Sequence, residues 1–164
     1  MLRSNHGLKR QQVQQYKNQI HTDKAIKKIL IISPEDDVNL AFKTALEQVE
    51  GDATSSSVSG GYNFKVDCFN NPLLALKNFK SGLYDLLIVD VIMPQINGFD
   101  LAEEIKKTDQ NVRLCFLIAG EVPGKLRANQ FRVQGEGEGY EDKFIQIPIE
   151  NSDLIRHVGV VIDS

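Results

Sequence analysis

The strongest constraint on the fold is the order of two patterns. From Lys27 onward, short apolar runs alternate with stretches whose apolar residues recur at helical spacing. "KILIIS" (28–33) reads as a buried strand, and Val38, Ala41, Phe42, Ala45, Leu46 and Val49 follow on one face of a helix. "YNFKVDCF" reads as a second strand. "NNPLLALKNF" reads as a second helix, with Asn71 as N-cap and Pro72 at the first helical position. "YDLLIVD" (84–90) lacks the polar alternation of a half-exposed strand, so both of its faces should be covered. "NGFDLAEEIKK" (97–107), "VRLCFLIA" (112–119), "KLRANQF" (125–131) and "KFIQI" (143–147) continue as helix, strand, short helix and strand. A last helix starts near Asn151 or Ser152 and buries Leu154, Ile155, Val158, Val161 and Ile162. Five strands alternating with helices imply right-handed crossovers. The expected fold is therefore α/β, a doubly wound, five-stranded parallel sheet with helices on both faces.

The chain has 164 residues, enough for one domain with additions, and its 41% hydrophobic residues can fill a core. Residues 1–25 form a polar, Gln-rich, basic tail, in which Arg3, Lys9, Arg10, Lys17 and Lys24 face a single acid, Asp23. Residues 26–164 form the domain, with a flexible Ser/Gly loop inserted over 51–62. Net charge is −3, which argues against a broad nucleic-acid surface. Cys68 and Cys115 lie in apolar segments without C-x-x-C spacing and read as reduced core residues. No apolar run approaches a membrane span, so a cytoplasmic protein without membrane partners is expected.

Sheets of this kind bind ligands at the carboxyl ends of their strands. That rule singles out Ser33–Asp37, Asp90–Pro94, Ile118–Glu121 and Ile147–Pro148. Asp90 stands out as an acid closing a buried strand. Other motif-like strings fail on spacing. "GEVPGK" (120–125) is one residue short of a P-loop, and "GEGEG" (135–139) precedes a strand, with glutamates that would repel a phosphate. "SPEDD" has the wrong charge for a flavin phosphate. The three histidines are scattered, no Ser-His-Asp set appears, and the chain is not expected to be an enzyme.

In "DVIMPQINGFDL", Asp90 is followed by Met93-Pro94 and then by Gly98 before an amphipathic helix. With this D-x-x-M-P pattern and the element order over 26–163, the sequence resembles the receiver domain of two-component response regulators, archaeal receivers especially. The resemblance implies a flavodoxin-like strand order, 2-1-3-4-5. It also implies a phosphoryl switch in a phosphorelay, with Asp90 as the phosphoacceptor fed by a histidine kinase or phosphotransfer protein. Mg²⁺ is the implied cofactor, for which Glu35, Asp36 and Asp90 are the candidate ligands. Output would pass to a separate protein, through the face made by the fourth helix, the fifth strand and the fifth helix. A stand-alone module is expected, since no output domain follows the last helix.

The sequence departs from the receiver pattern at several positions. Where receivers carry a Ser/Thr before the Ala ending strand four, this chain has Ile118; where they carry a Lys before the Pro after strand five, it has Ile147. Neither side chain can hydrogen-bond a phosphoryl oxygen. The switch aromatic is present as Phe144. An ungapped register puts Ser33 and Pro34 where the acidic pair should be, and moves Glu35, Asp36 and Asp37 into the start of a helix. Ser33 then reads as the helix N-cap, Pro34 as N1 and Asp36 as a capping acid at N3. The alternative is thus a degenerate receiver, a protein-interaction module that works without phosphorylation, in which Mg²⁺ binding is weakened.

Overall fold

A computed structural model describes residues 25–48, 61–120 and 143–164. The basic tail, most of the Ser/Gly loop, the short helix expected over 125–131 and the "GEGEG" stretch lie outside the described residues.

The described chain runs β1 (Ile26–Ile32), α1 (Asp36–Glu47), β2 (Asn63–Phe69), α2 (Pro72–Asn78), β3 (Leu86–Asp90), α3 (Gly98–Thr108), β4 (Arg113–Ala119), β5 (Phe144–Ile147) and α4 (Asn151–Asp163). The strands form one sheet in the order β2-β1-β3-β4-β5. Every pairing is parallel, with Ile29 opposite Leu86 and Asp90 opposite Leu117.

Alternation along the strands divides the core into two layers. Ile29, Ile31, Leu86, Ile88, Cys115 and Leu117 face one way, under Phe42 and Leu46 of α1 and Leu154 and Val158 of α4. Leu30, Ile32, Leu87, Val89 and Phe116 face the other way, under Ala75 of α2 and Leu101 and Ile105 of α3. Leu86–Val89 are fully buried because helices cover both faces of the central strand.

Local chemistry sets the helix ends. Asn71 caps α2, its Oδ1 accepting from the Leu74 N–H at 2.9 Å, with Pro72 in the first turn. Asn97 caps α3 through the Phe99 and Asp100 N–H groups.

The start of α1 differs from the sequence expectation. Glu35, not Ser33, is its N-cap, and Asp36 is its first residue rather than N3. Ser33 instead continues the line of β1: its N–H donates to the Phe69 carbonyl at 3.2 Å, and the first helical backbone bond runs from the Asn39 N–H to the Glu35 carbonyl at 3.1 Å. The buried stripe of α1 differs too: Ala41 is exposed and Asn39 is buried in its place. The Asn39 amide earns that position by donating to the carbonyl oxygen of Ser33 at 2.8 Å.

Candidate functional site

Strand parity brings the site together. Residues 29, 31 and 33 of the β1 segment and 86, 88 and 90 of β3 share one face, and β1 and β3 are neighbours. Ser33 therefore meets Asp90, and its Oγ donates to Asp90 Oδ2 at 3.1 Å. The other carboxylate oxygen, Oδ1, accepts from the Ile92 N–H at 3.0 Å. Ser33 is fully buried and Asp90 half-buried. Burial raises the Asp90 carboxyl above its ordinary value, while the Ile92 N–H and the Ser33 hydroxyl pull it back.

The loop after β3 folds tightly back on the strand end. Val91 N–H donates to Leu117 O at 3.1 Å, and Gly98 N–H donates to Val91 O at 3.0 Å. Gly98 approaches so closely that a Cβ there would lie 2.2 Å from the Asp90 carbonyl oxygen.

The remaining sequence candidates lie around this centre. Ile118 is buried near the end of β4, on the same face of the strand as Phe116. Ile147 ends β5 and packs against the α1/α4 layer. Phe144 sits on the opposite layer, its ring 5.9 Å from that of Phe116, which in turn lies 4.8 Å from Phe99. Pro34 links β1 to α1 and is half-buried, whereas Glu35 and Asp36 are exposed. Asp36 Oδ1 accepts from Asn70 Nδ2 at 3.0 Å, which ties α1 to the turn before α2.

The expected metal ligands Glu35, Asp36 and Asp90 do not assemble. Among the described residues, no group of three or more His, Cys, Asp or Glu side chains is placed to hold an ion. Among the described residues the pocket contributes one carboxylate, and one oxygen of that carboxylate already accepts the Ser33 hydroxyl. A hard cation such as Mg²⁺ favours oxygen ligands with more negative charge than this, so the residues present do not fit it.

Sequence reasoning named both Ser33 and Asp90 but missed their contact, and it missed Asn39 altogether. The contact was available from strand parity once β1 and β3 were taken as neighbours. Asn39 carried no signal, being a polar residue at a position the apolar stripe did not claim.

A family model for the response regulator receiver domain matches residues 29–135. The transcriptional regulatory protein CusR of Escherichia coli is 27% identical over 95 residues, covering 58% of this chain and 39% of that protein. The probable transcriptional regulator ycf29 of Porphyra purpurea is 35% identical over 77 residues, covering 43% of this chain and 37% of that protein. This chain thus spans well under half the length of either curated relative. Among solved structures, the non-phosphorylated HemR receiver domain of Leptospira biflexa superposes with a TM-score of 0.62 at 22% identity, covering 84% of this chain and 95% of that one. The chemotaxis protein CheY4 of Vibrio cholerae gives 0.61 at 18% identity, covering 84% and 99%. Both likenesses support the fold.

Proposed function

The chain belongs to the response regulator receiver domain family, and from that membership we propose a two-component signalling module with Asp90 at the phosphoacceptor position and a pocket that works without Mg²⁺-assisted phosphoryl transfer. Members of this family exchange signals with histidine kinases, phosphotransfer proteins and output domains, and protein contact is the proposed mode of action here. No catalysis by the chain itself is proposed, and no nucleic-acid contact.

One observation carries the reading: the Ser33 hydroxyl, rather than a second carboxylate, lies against Asp90. Phosphoryl transfer to a carboxylate needs the charge on the phosphoryl oxygens neutralised, usually by a divalent cation and a nearby ammonium. Ser33 donates a hydrogen bond but supplies no anion to hold a cation, and Ile118 and Ile147 supply neither hydroxyl nor charge.

Phosphorylation of Asp90 is the second reading. It is favoured by the half-buried position of Asp90 at the carboxyl edge of the sheet, where a donor has partial access. Intact-mass spectrometry after incubation with Mg²⁺ and a small phosphodonor separates the two. The proposal expects no phosphoryl adduct in the wild-type chain. An adduct that disappears in Asp90→Asn would establish the second reading.

A further inference from the structure

Every polar atom of Ser33 is engaged. Its N–H donates to Phe69 O at 3.2 Å. Its carbonyl accepts from Asn39 Nδ2 at 2.8 Å. Its hydroxyl donates to Asp90 at 3.1 Å and accepts from the Glu35 N–H at 3.3 Å. The Asn39 amide also reaches Phe69 O, at 3.5 Å. Glu35 is the N-cap of α1, and its carbonyl accepts the Asn39 N–H at 3.1 Å. Phe69 ends β2 and leads through Asn70, which is bonded to Asp36, into the Asn71 cap of α2. A continuous hydrogen-bonded path therefore joins the Asp90 carboxylate to the first turn of α1 and to the β2–α2 turn. Toward β4 and β5, by contrast, Ile118 and Ile147 end in methyl groups and can accept or donate nothing.

We propose that Ser33 and Asn39 are positioning residues for Asp90, and that a change at its carboxylate is conveyed through them to the α1 start and the β2–α2 turn rather than to the end of β5. The coupling is short and physical. Ser33 is fully buried, so its hydroxyl cannot exchange a lost protein partner for bulk water. When its acceptor at Asp90 changes, the hydroxyl must turn, and the Glu35 N–H bonded to it must follow. The Asn39 amide, held between the ends of β1 and β2, passes the same adjustment to Phe69. The path rests on these hydrogen bonds alone; the second reading above, phosphorylation of Asp90, is the one that would give it a change of state to convey.

The test uses the full chain and no phosphodonor, so it can fail while the receiver reading stands. Backbone and side-chain amide NMR spectra are compared for wild type and Asp90→Asn, and again for the same pair carrying Ser33→Ala. The expected result is that Asp90→Asn shifts the Glu35–Asn39 amides, the Asn39 side-chain NH₂ and the Phe69–Asn71 amides. These shifts should be at least twofold larger than those at Ile118–Gly120 and Phe144–Ile147. In the Ser33→Ala background the α1 and β2–α2 shifts should fall by at least half. Asn39→Ala removes one of the two links to Phe69, the other being the Ser33 N–H, and should reduce the Phe69–Asn71 response while leaving that of Glu35, which also covers the case in which Ser33→Ala fails to fold. Shifts concentrated at β4 and β5, or α1 shifts indifferent to both cuts, would overturn the proposal.

Discussion

The Ser33 hydroxyl stands 3.1 Å from Asp90 Oδ2 and is one of two hydrogen-bond donors among the described residues that hold this carboxylate against the cost of its burial. Removing the hydroxyl in Ser33→Ala leaves the burial and takes away a compensating bond, so the Asp90 carboxyl should rise further. Carboxyl ¹³C titration of both proteins measures this directly; an unchanged or lower midpoint in the variant would contradict it.

The same shift has a consequence for stability. A carboxyl raised by folding contributes stability that is complete below its unfolded pKa and is lost as pH rises through its folded pKa. At neutral pH the ionised Asp90 is therefore a cost to the fold. Asp90→Asn removes this charge and keeps one of the two acceptor oxygens that Ser33 and Ile92 use, so it should melt higher than wild type at pH 7. The gain should vanish below about pH 4, where unfolded carboxyls are protonated. Thermal unfolding across that range checks both halves of the expectation.

Gly98 is required by the path of the chain over Asp90. With its Cβ 2.2 Å from the Asp90 carbonyl oxygen, Gly98→Ala must push the loop and the strand end apart. The expected loss is about 1–3 kcal/mol, the usual cost of overpacking. Urea unfolding should show it, together with amide shifts at Asp90 and Val91; a fully stable variant would contradict the close approach.

Asp109 is a structural acid, distinct from the site. Its carboxylate accepts the N–H groups of Gly82 at 2.7 Å, Asn111 at 2.9 Å and Val112 at 3.2 Å, and the first of these does most to lower its pKa. A lowered carboxyl contributes stability that is present above its unfolded pKa and is lost as pH falls through its folded pKa. Asp109→Asn should cost about 1–3 kcal/mol at neutral pH. The deficit should shrink in acid below the ordinary carboxylate range. Urea unfolding at several pH values tests this, and a deficit independent of pH would contradict it.

The free edge of β2 is closed by α1. Val66 N–H donates to Glu47 at 2.8 Å, and Lys43 donates to Val66 O while lying 3.3 Å from Glu47. Edge strands with open backbone groups invite pairing with another chain. Glu47→Ala should lower stability by about 1 kcal/mol and increase concentration-dependent association, as read by light scattering. A monodisperse variant of unchanged stability would show that this pair does not guard the edge.

The element order was legible in the sequence because each strand is a short apolar run and each described helix a periodic one. Asn71 marked the start of α2 because capping is local, whereas Asn97, the cap of α3, read in the sequence as the first residue of that helix. The start of α1 was misplaced because its decisive contacts are not local. Ser33 looks like a cap in sequence, but its N–H is taken by β2 and its hydroxyl lies against Asp90, 57 positions away. Asn39 was missed for the same reason: its burial is stabilised by carbonyls at the ends of two strands, a relationship no periodicity reveals.

On the proposed reading the Asp90 pocket does not depend on Mg²⁺, and an NMR titration of the full chain with MgCl₂ tests this most directly. No saturable shifts are expected at Ser33–Asp37 or Asp90 up to millimolar metal, in wild type and in Asp90→Asn alike. Saturable shifts at those residues in the wild type that are abolished in Asp90→Asn would contradict it.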